Sequence, residues 1–285
     1  MNAATRTQGG RWAVTVGWFL GVVVAGLASA APARAQAEEK LPKAEEVLDK
    51  AVDALGGKAA MDKVHNRVSK GAFEVPLQGM KGAVTMYEAA PNKTYTIIEL
   101  PNIGKMESGT DGETFWEISP QGARILEGEE KAMKARESEF HFLLNWKKLY
   151  KSAECTGVAD VADHPAFRIV LTPTTGDPQT YYFDRKTYLP VRMDVVVKSQ
   201  MGAVPVEVLI TDYKAVNGVQ IPHKITQRMM GMEQFVKIDS VECNVDLPAD
   251  RFALPPAVKE LMQKPKTESA PAGAEKPKTE QPKTE

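Results

Sequence analysis

Residues that commonly carry out chemistry are scarce in this chain. Its 285 residues include two cysteines and four histidines. The sequence has no His-Glu-x-x-His pair, no Gly-x-Ser-x-Gly elbow, no Cys-x-x-Cys and no phosphate-binding glycine loop. These absences argue against the common zinc peptidase, serine hydrolase, dithiol oxidoreductase and nucleotidase patterns. We therefore predict a protein that is not an enzyme, with no catalytic residue, no cofactor and no metal.

Two small groups of polar residues come closest to a metal site. Glu137 and His141 would lie one turn apart on a helix, but two ligands without a third favour a solvated helix face. Asp160, Asp163 and His164 cluster in a predicted hairpin turn, where aspartate is common for its backbone hydrogen bonds. His223 alternates with isoleucines, which indicates a half-buried strand residue.

A large excess of one charge is also lacking. The chain has 36 lysines and arginines against 37 acidic residues. Three of the basic residues, Arg6, Arg11 and Arg34, fall in the first 35 positions. Without them 33 basic residues face 37 acidic ones, a formal charge of −4. This balance gives no support for binding nucleic acid.

The N-terminal segment has the pattern of a secretory signal peptide. Arg6 and Arg11 precede an uncharged stretch from Trp12 to Ala33, and an Ala-x-Ala site ends at Ala35. We predict a cleaved signal peptide over residues 1–35. The apolar stretch is also long enough to cross a bilayer about 30 Å thick, so an uncleaved membrane anchor is the alternative. Both place residues 36–260 outside the cytoplasm.

The C-terminal segment has few apolar side chains. Pro-Lys-Thr-Glu occurs three times, beginning at residues 265, 277 and 282. Such a segment cannot bury enough surface to offset the entropy of ordering. We predict a disordered, Pro/Lys/Thr/Glu-rich tail over residues 261–285, which would serve as a spacer if it has a function.

The two cysteines, Cys155 and Cys243, do not belong to a motif. An exported protein meets an oxidising compartment, so one disulfide bond is possible. Two separate thiols are the alternative, because pairing requires Cα atoms within about 7 Å.

The intervening 220 or so residues change from a helical pattern to a strand pattern. Val47, Leu48, Ala51, Val52 and Leu55 predict a first helix that ends at Gly56-Gly57, and a second short helix follows near residues 59–64. Period-two alternation begins near Arg67. Residues 128–149 predict one helix, or two with a break.

Seven further strands with short separators follow this helical segment, which indicates an antiparallel meander. Asn217-Gly218 suits a two-residue hairpin turn, because both residues tolerate positive φ. We predict an α+β fold with a large sheet of about ten or eleven strands. Runs such as Val195–Val197 are apolar on both faces. A curled sheet with helices on its concave face explains them, and so does a barrel around an apolar cavity.

Five segments of this core together resemble the LolA-type outer membrane lipoprotein-sorting proteins. They are ALGGKAAMDKV (residues 54–64), DGETFW (111–116), YFDRKTYLPVR (182–192), DYKAVNGVQIP (212–222) and DLPADRFALP (246–255). The resemblance implies an unclosed β half-barrel over residues 36–260, with helices across its mouth. It also implies a periplasmic protein that holds lipid acyl chains in an apolar cavity.

Six residues are candidates for ligand binding. Met229, Met230 and Met232 surround one hairpin tip, and Met201 lies at a turn predicted to be at the same end of the sheet. Methionine is flexible and polarizable, which suits an adaptable apolar surface. Phe115 and Trp116 would line the interior of the sheet. The alternative is that the methionines pack under neighbouring loops and the aromatic residues are plain core.

These observations favour an exported binding protein for a lipid, a lipoprotein or another amphiphile, acting as a carrier or sensor in the cell envelope. Its partners would be acyl chains and, in addition, an envelope membrane protein. The alternative is an envelope interaction or signalling regulator that carries no lipid.

Overall fold

The computed structural model describes residues 40–199 and 202–263, and the described residues from Leu41 onward form one compact unit. The predicted signal peptide, Met201 and nearly all of the predicted tail lie outside the described residues. Within the described ranges, no helix is both long and apolar enough to span a bilayer. The helices are α1 Ala44–Ala54, α2 Lys58–Met61, α3 Gly128–Glu137, α4 Phe142–Leu149 and α5 Pro256–Gln263.

Thirteen strands form one antiparallel sheet. They are β1 Asn66–Val75, β2 Met80–Ala89, β3 Lys93–Leu100, β4 Gly104–Thr110, β5 Phe115–Ser119, β6 Gly122–Ile125, β7 Tyr150–Val161, β8 His164–Pro173, β9 Gln179–Asp184, β10 Pro190–Ser199, β11 Gly202–Val216, β12 Val219–Met229 and β13 Met232–Cys243. The predicted α+β class and unclosed half-barrel are confirmed, and the sheet has two or three more strands than predicted.

The strand order explains why helices cover one face of the sheet. It runs β6-β5-β4-β3-β2-β1-β13-β12-β11-β10-β9-β8-β7, so two meanders join where β1 pairs with β13. The chain leaves the sheet at β6 and returns at the opposite edge, β7. The connection must therefore cross the sheet, and it does so as α3 and α4. We call the face that carries α1, α3 and α4 the concave face.

The helical segment 128–149 is two helices rather than one. Glu137 ends α3 and His141 caps α4, so the two residues do not share a helix face. The His141 ring nitrogen Nε2 lies 3.1 Å from the Val64 carbonyl oxygen instead. Among the described residues, no group of three His, Cys, Asp or Glu side chains is placed to hold a metal ion.

The hydrophobic core lies where α1 and α4 pack on β7, β8 and β9. Val47, Leu48 and Ala51 of α1 are fully buried against Ile169 and Phe183 of the sheet. Burial of one such leucine contributes about 1.5–3 kcal/mol. The apolar spacing that predicts α1 is therefore also what fixes this helix on the sheet.

The predicted hairpin at Asn217-Gly218 is present. Asn217 has φ 50° and Gly218 has φ 80°, and β11 pairs with β12 on either side. The tip of this hairpin contacts the end of α1, where the Gln220 amide donates to the Leu55 carbonyl at 2.9 Å. A Cβ atom on Gly56 would lie 2.1 Å from the Gly218 carbonyl oxygen, so only glycine fits at Gly56.

One other side chain, His223, differs from its sequence-based description, and the two cysteines follow one of the two alternatives. His223 is fully buried rather than half-buried, and its Nδ1 lies 2.9 Å from the Ile221 carbonyl oxygen. Cys155 on β7 and Cys243 on β13 are free thiols with five strands between them. A disulfide bond between them is therefore impossible in this fold.

Candidate ligand-binding cleft

An apolar cavity of about 310 Å³ lies on the concave face, at the end of the sheet formed by the β3–β4 and β12–β13 turns. We call it the tip cavity. Strands of both meanders line it, with the apolar residues Phe73, Val75, Met80, Leu100, Ile103, Met106, Met229 and Met232 and three glutamines, Gln78, Gln227 and Gln234. The methionines come from four different strands, so the cavity depends on the β1–β13 pairing.

One wall of the concave face remains apolar beyond the tip cavity. Val195, Val206 and Val208 are buried, and partly exposed apolar side chains extend the row across β10, β11 and β12. Met229 belongs both to this row and to the tip cavity. The tip cavity and this row of apolar side chains on β10, β11 and β12 therefore form one apolar surface, which we call the cleft.

A second cavity, of about 260 Å³, lies at the opposite end of the cleft beneath α1, α2 and α4. Arg67 lies in its wall, and its guanidinium forms two hydrogen bonds with the Glu88 carboxylate. The guanidinium also lies 5.3 Å from the Phe140 ring. Burial by itself would lower the pKa of Arg67. The negative charge and hydrogen bonds of Glu88 together have a larger effect in the opposite direction, so the pKa of Arg67 is raised. Burial lowers the pKa of His141 in the same cavity.

Helix α3 crosses the concave face, and ion pairs on two sides hold its first turn, at Glu129 and Glu130. At the β6 side, Arg124 bridges Glu117 and Glu130. At the β10 side, Lys198 contacts Glu129 at 2.8 Å. The side chains of α3 are partly or fully exposed, and none is completely buried. Exposed ion pairs each stabilise by about 0–1 kcal/mol, so α3 is attached weakly compared with α1.

The predicted ligand residues fall on different surfaces. Met229 and Met232 line the tip cavity, whereas Met230 is 66% exposed at the turn between them. Met230 instead borders a hollow over the opposite, convex face, beside Arg192 and Arg228. The methionines that the sequence groups at one hairpin tip therefore belong to two different surfaces in the structure.

Phe115 and Trp116 are adjacent in β5 and therefore point to opposite faces of the sheet. Phe115 is buried on the concave face and lines a polar cavity beneath α3. Trp116 is buried on the convex face, where its ring lies 5.7 Å from the Tyr95 ring. Of the two residues, only Phe115 presents its side chain to the concave face.

Sequence reasoning missed the first meander's contribution to the cleft. Phe73 and Val75, and Ile98 and Leu100, are alternate residues that share one face of their strands. This period-two signal was available in the sequence. It does not show, however, which face is concave.

No protein-family model and no curated protein matches the chain. Solved structures do match its fold. A DUF1329 family protein from Desulfovibrio piger has a TM-score of 0.51 at 14% identity, and the match covers 74% of this chain and 98% of that one. An outer membrane lipoprotein-sorting protein domain from Vibrio parahaemolyticus has a TM-score of 0.52 at 12% identity, covering 78% and 100%.

The chain is thus an unclosed antiparallel half-barrel with helices over its concave face. The predicted LolA-like fold is thus confirmed, and the chain is similar in fold to the two solved structures above.

Proposed function

We propose that the protein binds the acyl chain of a lipid, a lipoprotein or a similar amphiphile in the cleft, and acts in the periplasm as a carrier or sensor. The observation that carries this proposal is the tip cavity, whose volume of about 310 Å³ and predominantly apolar lining suit a hydrocarbon chain. The LolA-like fold and the predicted signal peptide over residues 1–35 support it. The absence of common catalytic motifs from the sequence favours binding over catalysis.

The methionines of the tip cavity would give it adaptability. Met229 and Met106 are partly exposed within the cleft, so an incoming chain would remove their surface from water. Flexible thioether side chains can repack around chains of different length and unsaturation. Each buried methylene of the ligand would contribute about 0.8 kcal/mol.

A chain-length series tests this proposal. Lysolipids with one head group and increasing chain length are titrated into the mature protein, residues 36–285. We expect the affinity to rise about fourfold per added methylene, from the same burial energy, until the cavity is filled. Met106→Gln and Met229→Gln should lower the affinity, whereas Met262→Gln should not, because Met262 is 56% exposed on α5. Affinity that does not depend on chain length would refute acyl-chain binding.

A second candidate function is an envelope interaction or signalling regulator without a lipid cargo. Two exposed apolar side chains, Met230 and Val196, border the same charged hollow and favour this function, since grouped exposed apolar residues suit protein contact. Its partner would be an envelope membrane protein. Loss of such a partner in Met230→Asp, or on removal of residues 264–285, with lipid binding unchanged, would support this function.

A further inference from the structure

The concave face of β2, β3 and β4 changes from apolar to polar along its length. Met80, Leu100 and Met106 lie at the tip end of these strands. Thr94 and Thr96 lie further along β3 on the same face as Leu100, by the period of two. The six-residue interval from Leu100 to Thr94 spans about 20 Å at 3.3 Å per residue. An amphiphile of this length would therefore meet apolar residues at one end and polar residues at the other.

The polar end is a cavity of about 180 Å³ roofed by α3, which we call the hydroxyl pocket. Thr94, Thr96 and Ser108 line it, and Thr96 and Ser108 are direct cross-strand neighbours. All three side chains are half-buried. Within the described part of the chain, none of their hydroxyl groups is hydrogen-bonded to another protein group. Each hydroxyl can therefore donate and accept with a ligand.

The charged residues around the hydroxyl pocket are already paired. Three of its lining residues are acidic, and each contacts a cation: Glu88 contacts Arg67, Glu117 contacts Arg124, and Glu137 contacts Lys134.

Lys134 is the one cation among the described lining residues, and Glu137 holds it at 2.8 Å. Partial burial by itself would lower the pKa of Lys134. Glu137 and the nearby carboxylates have a larger effect in the opposite direction, so the pKa of Lys134 is raised. An anionic group entering this pocket would meet three carboxylates and no unengaged cation.

We propose that the cleft, together with the hydroxyl pocket on the same concave face, selects an amphiphile with an uncharged, hydroxyl-bearing head group, such as a glycerol or sugar lipid. The head group binds in the hydroxyl pocket and the chain extends towards the methionines of the tip cavity. This inference rests on the proposed function, because it specifies the ligand of the same cleft. An anionic phospholipid head is disfavoured because the pocket offers no unengaged cation to offset the cost of removing its charge from water.

The test compares soluble lipids with identical chains and different heads. Dioctanoyl galactosylglycerol, dioctanoylglycerol and dioctanoyl phosphatidylglycerol are titrated into the mature chain by calorimetry. We expect the galactosyl lipid to bind roughly tenfold more tightly than the phosphatidylglycerol, equivalent to one or two net hydrogen bonds.

Two variants locate the preference in the pocket. The double variant Thr96→Val, Ser108→Ala removes two hydroxyls with little change in volume, and should lower galactosyl lipid affinity about tenfold while leaving phosphatidylglycerol within about twofold. Thr85→Val is the matched control, because Thr85 lies on the convex face of the neighbouring strand β2. A galactosyl lipid affinity that the double variant leaves unchanged would overturn the assignment of the head group to this pocket.

The outcomes separate the two proposals. Equal affinities, or a preference for phosphatidylglycerol, would overturn the head-group inference and leave acyl-chain binding standing. A wild-type protein that binds none of the three lipids would overturn both.

Discussion

Met229 on β12 and Met232 on β13 are direct cross-strand partners on either side of the two-residue turn Met230-Gly231. Both side chains line the tip cavity. The same turn exposes Met230 to solvent over the convex face. One hairpin therefore supplies an interior apolar surface and an exterior one, and substitutions at adjacent positions can test them separately.

The first prediction uses this separation. Met229→Glu places a charge on the apolar wall of the cleft and should lower lipid affinity at least about tenfold, because the carboxylate must be desolvated by the bound chain. Met230→Glu should leave lipid affinity within about twofold, since its side chain lies outside the cleft. Calorimetric titration with dioctanoylglycerol measures both. Equal losses in the two variants would contradict the assignment of the cleft.

A second prediction concerns the contact between α1 and the β11–β12 hairpin. Gly56→Ala combines a strained φ of 118° with an overlap against the Gly218 carbonyl oxygen, and should cost about 2–4 kcal/mol of unfolding free energy. Gly57→Ala is the matched control. Its φ is 77° and its Cβ would meet no atom within 4 Å, so we expect only about 1–2 kcal/mol. Urea unfolding measures both, and equal losses would argue against the contact.

A third prediction concerns the core. Leu48 is fully buried among residues of α4 and the sheet, so Leu48→Ala should destabilise the protein by about 2–5 kcal/mol through lost burial and a residual cavity. Leu41→Ala removes the same atoms from a residue that is 37% exposed and should cost less than about 1 kcal/mol. Urea unfolding compares the two variants. A small effect at Leu48 would mean that α1 is not firmly packed.

A fourth prediction follows from His141. Burial lowers its pKa in the folded protein, so the unfolded chain binds more protons as the pH falls through the ordinary histidine range. The stability that neutral His141 contributes is complete above the unfolded-state pKa of about 6.5. It is lost as the pH falls from there towards the lower pKa of His141 in the folded protein. His141→Gln should therefore show a smaller stability loss than wild type between neutral pH and pH values near 5.

Urea unfolding at a series of pH values measures this difference. Identical pH profiles of unfolding free energy for His141→Gln and the wild-type protein would remove His141 as the cause.

Local patterns predicted the separate elements well. Apolar spacing from Val47 to Leu55 located α1, and Asn217-Gly218 identified its hairpin, because both are decided by residues close in sequence. The strand number was underestimated, since β4 contains two glycines and carries little apolar alternation. The antiparallel meander of seven strands after α4 is present as predicted.

The cleft was harder to predict, because it depends on long-range pairing. The register between Phe73 on β1 and Val236 on β13 brings the two meanders together, and no local pattern signals it. Without that pairing, Met80 and Met229 would not share a cavity. Adjacent positions such as Phe115 and Trp116 were also grouped together, although a strand sends neighbouring side chains to opposite faces.

Native mass spectrometry tests the central claim most directly. The full chain, with its predicted signal peptide over residues 1–35, is expressed, and the protein is purified from the periplasmic fraction without detergent and measured before and after denaturation. Acyl-chain binding predicts an added mass in the native spectrum that denaturation releases and lipid extraction identifies. A bare polypeptide mass that stays unchanged after dioctanoyl lipids are added would contradict the account.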